Sequence, residues 1–347
     1  MFPGTTTWID TAWQGLANRR HRREKVERSL SLHWGLDKDF FEGTGMRPPR
    51  RSNDFYSVRF GHLFPNVCKP NNLDAIALRG RRRFGNAITC LVHAVLVAKA
   101  MDISKVVAPG WDINPGDLDG IWVTNLVNPG DDVLEGMFFR PEFLRPFFHG
   151  IDVSAAKSSL APALVSLYGI DIPTLDPFDD KEIVVHLRSG DVFRPDAPAP
   201  PTYGQPPLAF YQKVLKSRRW DKVWIVFENG LNPVVPALVS WLAKQNINFE
   251  ISSTDWRTDI TVCMKARHLV GGHGTFLDPV LWGSRHLATF YTFESVIVPG
   301  DLRRTISLRN YVDSSGYYSN TVLKRWENTA LQRELMVQYP AAHIRRG

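Results

Sequence analysis

The sequence predicts a two-domain α/β protein whose second half is a doubly wound parallel sheet. Between Lys181 and Phe293, five short apolar strands alternate with helices of ten or so residues, the pattern that buries a parallel sheet under helices on both faces. A strand, a glycine loop and an apolar helix open a similar layer near Asp74. At 347 residues the chain exceeds one small core, and Asp171-Ile-Pro-Thr-Leu-Asp-Pro177 reads as the linker.

Net charge +7 and pI near 9.3 point to anionic partners, a nucleotide sugar or nucleic acid. Cys68, Cys90 and Cys263 are odd in number and far apart, which supports neither a disulfide framework nor a zinc cluster and fits a reducing compartment. The most apolar window, Ala87 to Ala100, is shorter than a bilayer span and holds His93 and Lys99, so it reads as a buried helix and no transmembrane segment is expected. The first residues lack a secretory pattern, so a cytoplasmic protein, or the soluble catalytic part of a secretory-pathway enzyme, is expected.

Taken in order, residues 1–70 carry no clean period and read as an N-terminal extension. Its basic clusters, Arg19–Arg28 and Arg47–Arg51, are interleaved with Glu24 and Glu27 in the first case, which favours a solvated helix face over nucleic-acid contact. Residues 71–175 form the first domain. Asp74–Leu78 is its first strand, Arg79–Asn86 a basic glycine loop, Ala87–Met101 a helix and Lys105–Ala108 the next strand. The loop matches neither the phosphate-loop NTPase pattern nor the dinucleotide fingerprint. Trp111, Trp122 and Phe138–Phe148 are expected to seal a core or line an interdomain cleft. Asp117 and Asp119 have the spacing of a divalent-metal pair, but Pro115, Gly116 and Gly120 around them also suit a polar turn.

Residues 176–300 form the second domain, with strands at 181–187, 222–227, 247–251, 268–270 and 287–293. Residues 301–347 end in an amphipathic helix around Asn328–Met336 and are expected to pack back on the first domain.

Chemistry is expected at Lys181-Glu-Ile-Val-Val-His-Leu-Arg-Ser-Gly-Asp191, where an apolar strand stops on His186, Arg188 and Asp191. In an extended chain His186 and Arg188 share a face, and ligands of open α/β sheets bind beyond the carboxyl ends of strands. Arginine offers a planar fork suited to two phosphate oxygens. An Arg–Asp pair that merely closes a turn is the alternative. Six prolines between Pro195 and Pro207 exclude a helix there and leave a lid, an acceptor-facing wall or a stiff connection. In Gly271-Gly-His-Gly-Thr275, glycines permit close approach, Thr275 suits the N-cap of the following helix and amides there attract phosphate. His273 either adds a donor or is satisfied by a neighbouring carbonyl.

Three stretches together resemble a family. Gly80, Arg83, Phe84, Gly85 and Asn86, followed by an apolar helix, look like the Gly-Arg-Phe-Gly-Asn opening of protein O-fucosyltransferases. His186-Leu-Arg-Ser-Gly-Asp191 resembles the His-x-Arg-x-Gly/Thr-Asp motif of the α1,2-, α1,6- and O-fucosyltransferase superfamily, and Asp259 through Phe276 resembles its third motif. About sixty residues are covered. Gly-Gly-His-Gly-Thr stands where the family has a serine-rich run.

The resemblance implies two Rossmann-like domains facing a cleft, the GT-B glycosyltransferase arrangement. It implies a GDP-sugar donor, usually GDP-fucose, inversion at the anomeric carbon, no cofactor and no metal. Arg188 would hold the β-phosphate, His186 and Asp259 would face the nucleoside, and Gly274, Thr275 and Phe276 would lie at the pyrophosphate turn with His273. Gly85 and Asn86 would meet the sugar or a glycan or protein hydroxyl acceptor. Candidate bases are Asp191 and Asp196, the latter ten positions after the motif histidine. The rival readings are an inactive GDP-sugar-binding module, a metal-dependent transferase using Asp117 and Asp119, and a nucleic-acid-binding protein.

Overall fold

The computed structural model describes residues 73–347 apart from 81, 129, 130, 132, 137, 140–150, 196–200, 254 and 295–305. The N-terminal extension with its basic clusters, Cys68, Asp196 and the phenylalanines from Phe143 to Phe148 lie outside the described residues. The chain divides into two compact units, residues 1–169 and 170–347.

The first unit is built on β1 (Ala75–Leu78), α1 (Phe84–Ala100), β2 (Lys105–Val107), β3 (Gly116–Leu118), β4 (Ile121–Thr124), β5 (Val133–Gly136) and α2 (Val153–Ser166). Its sheet order is β3-β4-β2-β1-β5, parallel throughout except for the β3–β4 hairpin. All four residues of β1 are buried, as a strand covered on both faces requires. From Ala87 to Ala98 every residue of α1 is buried, so the apolar window is a core helix. It starts three residues earlier than the sequence pattern suggests, at Phe84, because Gly80 (φ +68°) makes the turn before it.

The second unit comprises β6 (Glu182–Leu187), α3 (Leu208–Lys216), β7 (Lys222–Phe227), α4 (Val234–Lys244), β8 (Phe249–Ser252), α5 (Trp256–Lys265), β9 (His268–Val270), α6 (Asp278–Gly283), β10 (Thr289–Phe293), β11 (Ser307–Asp313), α7 (Ala330–Gln338) and β12 (Ile344–Arg346). Sheet order is β12-β11-β10-β9-β6-β7-β8, with only β12 antiparallel. Counted along this unit the parallel strands run 3-2-1-4-5-6, the doubly wound dinucleotide-fold order. The order reverses between β6 and β9, so the connections leaving their carboxyl ends turn to opposite faces of the sheet, the position where open α/β sheets have their binding crevice.

Side chains alternate along β6. Ile183, Val185 and Leu187 enter a core with Phe210, Val214, Val234, Leu238 and Met336 from α3, α4 and α7, while Val184 and His186 face the other side. There α5 packs against β6, β7 and β8.

The described residues of the C-terminal segment belong to the second unit: β11 and β12 extend its sheet, and α7 packs on α3 and α4. The physical reason is the unfilled edge of β10, to which Ser307–Asp313 adds in parallel. No helix among the described residues is long and apolar enough to cross a membrane.

Candidate functional site

The carboxyl ends of β6 and β9 bring two of the sequence motifs together. After β6 the chain runs through Arg188 and Ser189 to Gly190, whose φ of +71° turns it into the short 3-10 helix Gly190–Phe193. After β9 it makes the turn Gly271–Gly274, with Gly274 at φ +142°. The aromatic rings of His186 and Phe276 stack across the gap, 5.0 Å between centroids and 13° between planes. The Cβ position of Gly274 lies 3.7 Å from Arg188 Cδ, ordinary contact distance, so the turn runs directly alongside the guanidinium stem, and the positive φ is what favours glycine there.

Arg188 is largely buried, 16% of its side chain exposed. Its Nη2 donates to Asp191 Oδ1 at 2.5 Å, while Nε, also buried, has no hydrogen-bond partner among the described residues. A buried cationic N–H with nothing to donate to is costly, and here it lies beside a glycine turn. Asp191 thus has one carboxylate oxygen committed to Arg188, the Arg–Asp pair weighed as an alternative for this motif. The pair sits at the crevice, where it fixes the rotamer of the guanidinium.

Two asparagines hold this loop from the connection that follows the neighbouring strand, β7. Asn232 donates to the Arg188 carbonyl at 2.8 Å and accepts from the Val234 amide at 2.9 Å, capping the entry to α4. Asn229 Oδ1 accepts from Ser189 Oγ at 2.7 Å and from the Gly190 amide at 3.2 Å. Glu228 lies directly over Gly190, where a Cβ would collide with its carboxylate. Sequence reasoning missed all three; the signal was the polar run Glu-Asn-Gly-Leu-Asn at the end of a strand adjoining the motif strand.

Burial pushes the His186 imidazole down to about 3, with Arg188 adding repulsion, so the ring is neutral and its Nδ1 lacks a partner among the described residues. Asp259, in the first turn of α5, accepts from Ser252 Oγ at 3.0 Å at the end of β8. Burial raises it to about 6, with Asp255 contributing.

One expectation for the glycine turn is corrected. Thr275 is not at the N-cap position of the following helix: α6 begins at Asp278 with Leu277 at its N-cap, and the Thr275 carbonyl accepts from the Asp278 amide at 3.1 Å. With six residues and an aspartate in the first turn, α6 offers no favourable helix-start site for an anion. Of the two readings of His273, its surroundings match the one in which a neighbouring carbonyl satisfies the ring. Its Nε2 lies 3.2 Å from the Phe293 carbonyl, near the backbone of Thr202 and Gly204, and burial lowers its pKa. A neutral ring that donates its one N–H to the Phe293 carbonyl is the lower-energy choice inside this packing.

The proline-rich stretch is held rather than loose at its described end. Trp326 donates through its amide to the Pro201 carbonyl at 2.8 Å and through Nε1 to the Val192 carbonyl at 3.0 Å. Gly204 passes so close to the Val322 carbonyl that a side chain would not fit.

Gly85 and Asn86 belong to the first unit, in the first turn of α1, where the Gly85 carbonyl accepts from Thr89 Oγ1 at 3.1 Å. Asp117, in β3, and Asp119, in the β3–β4 turn, are there too. Asp117 Oδ1 accepts from the Gly120 amide at 3.0 Å, and Asp119 (φ +57°) pairs with Lys99, which lowers its pKa. No cluster of three or more potential metal ligands occurs among the described residues. Cys90 and Cys263 are free and buried, and burial pushes the Cys90 thiol up to about 12.

No family model and no curated protein matches this chain. Among solved structures, a crystal structure of a protein O-fucosyltransferase, POFUT1, in complex with GDP is similar at 12% identity, covering 69% of this chain and 98% of that one with a TM-score of 0.35.

Proposed function

We propose that the second unit binds a nucleoside-diphosphate sugar at the crevice between β6 and β9, and that the chain is an inverting glycosyltransferase. The observation that carries this reading is Arg188: a pinned, mostly buried guanidinium whose Nε has no partner among the described residues, at the point where the strand order reverses. The motif resemblance names the donor, fucose from GDP-fucose, and a glycan or protein hydroxyl as acceptor.

In this reaction the acceptor oxygen attacks the anomeric carbon from the face opposite GDP. The bond from that carbon to the β-phosphate oxygen breaks, and GDP leaves with the electron pair. Arg188 stabilises the charge that grows on the diphosphate, a role whose loss costs on the order of 10²–10³ in rate. His186 and Phe276 form a flat wall for the donor, and Asp259 accepts from the nucleobase edge. The acceptor proton goes to a carboxylate, Asp196 or Asp191, and the transfer needs no metal.

Thermal shift with a panel of nucleoside diphosphates tests the reading. GDP should stabilise selectively, by about 2.7 kcal/mol at a hundred times its Kd, and Arg188→Ala should abolish both the shift and transfer from GDP-fucose. No response to GDP would sink it. The Arg188–Asp191 pair favours one second reading, a module that binds the GDP-sugar without transferring it; GDP binding with no transfer to any glycan or peptide acceptor would select that.

A further inference from the structure

One side chain behind the Gly271–Gly274 turn has no assigned role. Gln205 is fully buried, 0% exposed, at the end of the proline-rich stretch. Its Nε2 uses both protons, donating to the Tyr203 carbonyl at 2.9 Å and to the His273 carbonyl at 3.1 Å. That fixes the amide orientation, since the carbonyl end could not serve two acceptors. Oε1 points at Gly272, where a Cβ would come within 2.5 Å of it, and it has no partner among the described residues.

Gln205 is itself anchored from the C-terminal segment. Tyr318 Oη donates to the Gln205 carbonyl at 2.6 Å. Burial holds that phenol protonated, hence a donor. Tyr318 is positioned in turn by Asp313, whose Oδ2 accepts from the Tyr318 amide at 2.8 Å and whose Oδ1 accepts from Tyr339 Oη at 2.7 Å. A continuous set of hydrogen bonds thus runs from β11 and the end of α7 through Gln205 to the backbone of the glycine turn. Five successive residues with three glycines hold no conformation by themselves; Gln205 on one side and the His273–Phe293 contact on the other supply the constraint.

We propose that Gln205 is the positioning residue of the glycine turn: held by Tyr318, it sets the height of Gly272–Gly274 against Arg188. It touches no substrate. The proposal rests on the reading of this crevice as the diphosphate site for its functional consequence, but the clamp is measurable without it.

Two variants separate hydrogen bonding from packing. Gln205→Met keeps the volume without the amide, and Gln205→Glu keeps the shape while placing an acceptor against two carbonyls. In the full chain without ligand, amide hydrogen exchange at residues 271–275 should quicken at least tenfold in both, with the β6 and β10 amides unchanged. Tyr318→Phe should give a smaller change at the same amides. GDP titrated calorimetrically into wild type and variants should bind at least tenfold more weakly to both Gln205 variants, while the wild-type melting transition stays cooperative in each. Unchanged exchange at 271–275 in either Gln205 variant overturns the clamp, whatever GDP does. Wild type that fails to bind GDP while the variants show the quickened exchange overturns the nucleotide reading and leaves the clamp standing.

Discussion

The ring of His186, the penultimate residue of β6, lies parallel to that of Phe276, ninety residues later, at 5.0 Å. The stack joins the two loops that flank the reversal of strand order, and it buries a histidine that cannot afford to carry charge. It makes the crevice a property of two motifs together.

That burial has a pH consequence. His186 has a folded pKa of about 3 against an ordinary 6.5, so its contribution to stability is complete above 6.5 and is lost as pH falls towards 3. The loss approaches 1.4 kcal/mol per pH unit, roughly, in the middle of that window. Asp259 acts oppositely: its folded pKa is raised from 3.8 to about 6, so its contribution favours the fold at low pH and fades as pH rises through 6. His186→Phe, which keeps a ring against Phe276, should flatten the acid limb of a urea-midpoint profile between pH 6.5 and 4. A profile parallel to wild type would mean that the imidazole is not buried neutral.

Asp259 makes a separate prediction for binding. If its carboxylate accepts from the nucleobase edge, GDP affinity should be level from pH 8 to 6.5 and fall by up to about tenfold per unit below 6, as the group takes up a proton. Asp259→Asn should bind more weakly at pH 7 and lose that dependence. Phosphate titration is common to both proteins, so the difference between the two curves isolates Asp259.

Arg188→Lys keeps the charge and loses the planar fork. We expect GDP binding to weaken at least tenfold and transfer by on the order of 10²–10³, measured by calorimetry and by release of GDP. Near-wild-type rates would show that a point charge suffices.

Asp191→Asn distinguishes positioning from proton transfer. The amide is isosteric and retains an acceptor for Arg188 Nη2, so a positioning role predicts GDP affinity and turnover within about threefold of wild type. Turnover reduced on the order of 10²–10⁴ with GDP affinity intact would make Asp191 the base.

Gly190→Ala should destabilise the fold by about 1–2 kcal/mol for the left-handed backbone alone, because φ is +71° there and Glu228 occupies the Cβ position. Equilibrium unfolding reads this directly; an unchanged midpoint would show that the loop relaxes.

Much of this was legible in the one-dimensional pattern. Ile183–Val185, Val223–Val226 and Leu269–Val270 announce buried parallel strands because both of their faces are apolar, and His186, Arg188 and Asp191 are conspicuous because polarity returns abruptly at a strand end. Short or mixed strands were not legible. β3, β4 and β5 have three or four residues each, and β11, Ser-Leu-Arg-Asn-Tyr-Val-Asp, reads as polar because only Tyr311 and Asp313 of its seven residues are buried.

The sequence by itself determined the α/β class, the alternation of the second half and the residues that end β6 and β9, since these follow from local periodicity and from the chemistry of single side chains. Tertiary structure alone decided that Arg188 pairs with Asp191, that His273 turns to Phe293, that the C-terminal strands join the second sheet and that Gln205, Asn229 and Asn232 hold the two loops. These are matters of partner choice among groups that are far apart in the chain or offer several acceptors, and only close packing, by excluding water, selects one partner for each.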